Sequence, residues 1–125
     1  MESLESLVER YVECYNRVDV EGMLECVTDD VEFENISNSG QSMQLQGKEA
    51  LAQVASASSQ AFSFRRQRVL SLVCTEDKAA AEVQFKGIAA LDLPNGVMQG
   101  QSVDIRGASF FEARDGLISR IVDYS

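Results

Sequence analysis

The chain has 125 residues, 45% of them hydrophobic, and carries a net charge of −9. That length and apolar content suit one domain over residues 1–125 with a core of its own, and exclude a disordered chain. No apolar run reaches the ~20 residues of a membrane-spanning helix, and the acidic balance argues against nucleic acid and anionic membranes, which are held by clustered Lys and Arg.

Leu4, Leu7, Val8, Tyr11, Val12 and Tyr15 recur at helical spacing, which predicts an amphipathic helix over about residues 3–17. Glu2, Glu5, Glu9 and Glu13 fall on its other side. This acidic, helix-patterned start does not read as a signal peptide, so a cytoplasmic protein is expected. Asp19 is placed to cap a second helix that carries Val20, Met23, Leu24 and Val27. In "DDVEFENIS" the residues alternate: Val31, Phe33 and Asn35 share one strand face, Glu32 and Glu34 the other. Residues 37–47 are polar and contain glycine, so a loop is expected. Residues 48–62 predict a third helix with a small-residue face that would lie close on a sheet.

The period then changes to two. Segments 64–74, 78–91, 100–113 and the final "GLISRIVDYS" read as four strands separated by the turn signals "TEDK", "LPNG" and "RDG". Strands joined this way form an antiparallel meander. Three helices against one strongly curved, mainly antiparallel sheet predict an α+β cone with a central pocket. The last strand is mostly apolar on both parities yet carries Asp123 two residues from its end, and a carboxylate facing inward there is costly.

Several chemistries are excluded. With no histidine there is no Ser-His-Asp or Cys-His arrangement. Cys14, Cys26 and Cys74 stand apart, form neither a disulfide framework nor a zinc signature, and are expected to be buried. No metal and no cofactor is expected, and the glycine patterns of nucleotide sites are absent. Acid–base chemistry would fall to Asp, Glu, Lys, Tyr or Cys. The basic run "RRQR" at 65–68 is expected on a solvated strand face or in ion pairs.

Three segments, "YNRVDVEGMLECVTDDVEFEN", "LQGKEAL" and "FFEARDGLISRIVDYS", make the chain resemble the nuclear transport factor 2-like superfamily, also called the cystatin-like α+β barrel. The resemblance spans nearly the whole chain and implies the cone-shaped fold, a pocket and a homodimer through the sheet. The fold alone does not determine an activity. Limonene epoxide hydrolase, of this fold, uses a Tyr and an Asn on the first strand, an Arg and an Asp on a middle strand and an Asp on the last. Carried over, the first pair becomes Phe33 and Asn35 and the last becomes Asp123. The middle pair falls on Gln84 and Lys86, or on Lys86 and Ile88 in the other register, so its carboxylate is missing. Against ketosteroid isomerase, Tyr11 within "RYVE" matches, but the two acids fall on Asn35 and near Gly107, so that activity is discarded. In SnoaL-like polyketide cyclases a late-strand carboxylate removes an acidic C–H proton. Asp123 matches it, while the His expected in that pocket is absent.

Two readings follow. The first is an enzyme acting on a small apolar molecule, epoxide-hydrolase-like or polyketide-cyclase-like. In it Asp123 is the base, Asn35 orients water or substrate, and Lys86 serves as an acid or polarises an oxygen. Tyr11, Phe33, Gln84, Ile105 and Ser109 would contact the substrate. The second is a non-catalytic or degenerate pocket, with Asp123 at a rim beside Arg120 or Arg106, Lys86 in solvent, Asn35 holding backbone and Tyr11 in plain core. By parity Val83, Phe85, Ala108, Phe110, Val122 and Tyr124 are expected on the outer sheet face, where a second copy would cover them.

Overall fold

The computed structural model describes residues 2–37, 42–94 and 96–124. Helix α1 (Leu4–Asn16) starts where the Ser3 hydroxyl accepts the Ser6 N–H at 3.1 Å, satisfying an amide with no partner inside the helix. It buries Leu4, Leu7, Val8, Tyr11 and Val12, the expected stripe. Asp19 caps α2 (Val20–Glu25) by accepting the Gly22 N–H at 3.0 Å. Strand β1 (Val27–Ile36) follows, then β2 (Ser42–Gln46), α3 (Lys48–Ala61), β3 (Phe62–Cys74), β4 (Lys78–Ala89), β5 (Ser102–Arg114) and β6 (Leu117–Tyr124).

The expected loop at 37–47 holds strand β2, which lies antiparallel on β1 with Phe33 opposite Leu45. Its polar sequence hid it because it is an edge strand, mostly exposed on both faces. Residues 38–41 of that expected loop lie outside the described residues.

The sheet order is β2-β1-β6-β5-β4-β3. The last four strands form the meander, and β6 closes it by pairing with β1 in parallel. The turn into β6 uses Asp115 and Gly116, both at positive φ, as a tight hairpin requires. The sheet is curved but open, with β2 and β3 as edges, and the three helices pack on its concave side. The core includes Leu7, Val8, Val27, Val31, Leu51, Ile118 and Ile121. Among the described residues no helix is long and apolar enough to cross a membrane.

One local conflict is visible at the α1–α2 corner. Val18 takes φ 58°, a left-handed conformation that a β-branched residue resists. It is exposed, so nothing else requires a valine there. Val18→Asn is expected to stabilise the fold by about 1 kcal/mol, or roughly 4 °C in melting temperature. Thermal unfolding followed by circular dichroism measures this, and an unchanged or lower midpoint would contradict the strain.

Candidate active site

The register brings distant residues into rows across the concave face. Asn35 on β1 lies beside Asp123 on β6, Asp123 beside Ser109 on β5, and Ser109 beside Ala81 on β4. The next row holds Phe33, Ile121, Phe111 and Ala79. Asp123, Asn35 and Ser109 are therefore gathered by strand pairing alone.

Above these rows lies a cavity of about 480 Å³. Tyr11 and Tyr15 of α1, Phe33, Phe111 and Ile121 of the sheet, and Leu51, Val54 and Ala55 of α3 line it. The small face of α3 explains why the space exists. Ala55, Ala57, Ser58 and Ala61 are too short to fill the gap to the sheet, so the helix leaves a chamber where a close approach was expected.

Asp123 accepts a hydrogen bond from the Ser109 hydroxyl, 2.6 Å from Oγ to Oδ1. Ser109 is 1% exposed, so its hydroxyl has little choice of partner. Burial raises the Asp123 carboxyl above the ordinary carboxylate range, and the Ser109 bond offsets this only in part. Burial also raises the Tyr11 phenol, and the facing Asp123 charge adds to it, so Tyr11 stays a neutral donor. Among the described residues Asp123 is the only carboxylate lining this cavity.

Three contributors were not anticipated. Tyr15 lies one turn after Tyr11 on the same stripe and also lines the cavity. Beside it is Arg65, expected on a solvated face or in ion pairs but 6% exposed. Arg65 donates to Ser58 Oγ at 2.8 Å and to the Tyr15 carbonyl at 3.2 Å, and its Cζ sits 3.9 Å from the Tyr15 ring centroid. Its Nε has no partner, and no carboxylate pairs with it among the described residues. Burial raises the Tyr15 phenol, while the Arg65 charge and a Ser58 hydrogen bond work against that. Gln67 is the third addition. Asn16 pins its backbone with bonds of 2.7 and 2.8 Å, which fixes β3 against α1. Parity separates Arg65 and Gln67 from Arg66 and Arg68, and that signal was present in the chain.

The other expected residues divide. Tyr11, Phe33, Asn35, Ser109 and Asp123 line the main cavity, and Ile105 lines a smaller one adjoining it. Gln84 and Lys86 do not join them. They lie on the outer face in a groove with Phe64, Arg66 and Arg68, and Gln84 donates to Asp104 at 3.0 Å. Val83 and Phe85 occupy the concave side instead of the outer face. β4 alternates with its apolar residues at odd positions, and burying that set turns the even positions to solvent. Arg120 pairs with Glu112 at 2.7 Å rather than with Asp123. Of the cysteines Cys26 is buried, Cys14 half-buried and Cys74 exposed. No cluster of metal-ligating side chains occurs among the described residues.

Three helices on an open, curved sheet with a carboxylate-bearing cavity define an α+β cone of the nuclear transport factor 2-like type. The SnoaL-like domain pattern matches residues 8–121, and the chain belongs to that family. A proposed polyketide cyclase from Xanthomonas campestris is similar at 27% identity and a TM-score of 0.75, over 97% of this chain and 88% of that one. A SnoaL-like polyketide cyclase from Agrobacterium tumefaciens superposes with a TM-score of 0.80 at 17% identity, over 98% and 91%. An LEH-like epoxide hydrolase from M. tuberculosis gives 0.74 at 18%, over 94% and 78%. The last two likenesses are of fold. No curated protein sequence matches the chain.

Proposed function

We propose that the chain is an enzyme that removes a proton from carbon beside a carbonyl group in a small apolar substrate. The observation that carries this reading is Asp123, the single carboxylate lining the cavity among the described residues, set among apolar walls and facing two phenols. Asp123 accepts the C–H proton, and the electron pair moves onto the carbonyl oxygen as an enolate. The Tyr15 hydroxyl, with the Arg65 charge behind it, donates to that oxygen, and Tyr11 serves as a second neutral donor. The enolate carbon can then attack a second carbonyl of the same molecule. The resulting alkoxide takes the proton back from Asp123, so the reaction closes a ring with no loss of atoms. A positioned base of this kind supplies roughly 10²–10⁴-fold. An electrostatically supported donor at the oxygen supplies a further factor of similar order.

Epoxide opening is the second reading, favoured by Asn35 standing in register with Asp123, where it could hold a water. It is weaker because no second carboxylate lines the cavity among the described residues. Lys86 is not given a catalytic part, since it lies on the other face of the sheet.

The test is deuterium incorporation at C2 of 1-tetralone, followed by NMR, with styrene oxide hydrolysis run in parallel. Accelerated exchange that Asp123→Asn removes and Tyr15→Phe weakens is the expected result. Hydrolysis without exchange would favour the epoxide reading. Neither reaction, with both compounds bound, would make this a non-catalytic pocket.

We also read the outer sheet face as the seam of a homodimer. Phe110 and Tyr124 meet edge to face there at 5.5 Å and are 44% and 43% exposed. Acidic Glu32 and Glu34 lie toward one side, and Arg66, Arg68, Lys86 and Arg106 toward the other. A twofold axis parallel to the central strands sets each acidic side against the partner's basic side. An axis across the strands would oppose like charges. Sedimentation of Phe110→Glu is expected to give a monomer where wild type gives a dimer, and a monomeric wild type would end this reading.

A further inference from the structure

Beside the main cavity lies a second one of about 220 Å³, walled by Val83, Phe85, Ile105, Gly107 and Tyr124. Tyr15, Asn35, Gln67, Ser109 and Asp123 line both. Every polar group named in the proposed chemistry except Tyr11 and Arg65 therefore stands at this shared wall. Apolar space extends from it in two directions, under α3 and along β4 and β5. The outer space reaches solvent near Ile105, which is 39% exposed.

Size decides how the two are used. Small-molecule sites usually hold about 300–1,000 Å³, so the smaller cavity is too small to be a separate site of the usual kind. An apolar cavity of about 150 Å³ accepts one benzene ring. On that scale the main chamber has room for about three rings and the smaller one for a single substituted ring.

We infer that the substrate is a neutral, elongated molecule whose reacting carbon is internal, flanked by a larger apolar body under α3 and a smaller aromatic or alicyclic arm against Phe85 and Ile105. This rests on Asp123 being the site's reactive group and adds the shape of what it acts on. A terminal reacting carbon would leave one apolar chamber unfilled and lose the affinity that its burial supplies.

The probes are two carbon acids that differ only in the second arm. Dibenzoylmethane carries a phenyl group on each side of its central carbon, and benzoylacetone carries one. Binding is read by titration calorimetry, without turnover. Wild type is expected to hold dibenzoylmethane at least tenfold more tightly. Gly107→Leu, on extended β5 backbone that accepts a side chain, fills the smaller cavity. It is expected to bring the two affinities within twofold of each other, with dibenzoylmethane losing the more. Ile105→Trp, at an exposed position, is the second variant should Gly107→Leu fail to fold, with the same expected loss of preference. Equal affinities in wild type, or an undiminished preference in a folded blocked variant, would overturn the two-armed site. Two-armed binding with no exchange of the central C–H in deuterium oxide beyond the rate in buffer alone would overturn the catalytic reading and leave the two-armed site standing.

Discussion

Asp123→Asn is expected to melt about 4–8 °C higher than wild type at neutral pH while losing about 10²–10⁴-fold in activity. The substitution removes a charge that the cavity desolvates and keeps an oxygen to accept the Ser109 hydroxyl. A functional carboxylate in such a place costs stability, on the order of 1–2 kcal/mol in other proteins. The pH dependence identifies the cause. Burial holds the Asp123 carboxyl above its ordinary value, so the folded chain binds that proton more tightly than the unfolded chain. Its contribution to stability is therefore full below the ordinary carboxylate value and is lost as pH rises through the raised value. The difference between the two proteins should vanish in acid and be greatest above that window. Activity should rise through the same window, because the base works ionised. A variant that melts several degrees lower, with no pH dependence in the difference, would make Asp123 a structural partner and remove the centre of the enzyme reading.

Two residues earlier on the same strand the opposite sign is expected. Ile121→Ala should destabilise by about 3 kcal/mol, or roughly 12 °C. Ile121 is 1% exposed and lies between Phe33 and Phe111 in the row that floors the cavity. Those rings are held by strand pairing and cannot collapse into the space, so the lost contacts are not recovered. Chemical unfolding gives the number, and a cost below about 1 kcal/mol would mean that the floor relaxes. Together the two substitutions separate what β6 contributes to folding from what it contributes to the site.

Alternation explains most of what could be foreseen of that site. Phe33 and Asn35 share a parity on β1, Ile121 and Asp123 share one on β6, and the structure turns both pairs inward. The same rule, applied strictly to β4, separates apolar Val83 and Phe85 from Glu82, Gln84 and Lys86. Expecting Gln84 and Lys86 in the cavity relied on likeness to another protein's pattern where the alternation pointed the other way. Arg65 was misjudged for a different reason. A charge in a basic run usually faces water, and only α1 and α3 folding over β3 encloses this one.

The sequence by itself determined the helices, the cap at Asp19, the four-strand meander and the carboxylate on the last strand. All of these depend on neighbours a few residues apart. Only the tertiary structure decided that β6 pairs in parallel with β1, which sets Asn35 beside Asp123. It also decided that β2 is an edge strand, that Arg65 stands behind Tyr15, and that the short side chains of α3 leave a chamber open. Those outcomes depend on contacts between segments far apart in the chain, where burial and strand pairing override local pattern.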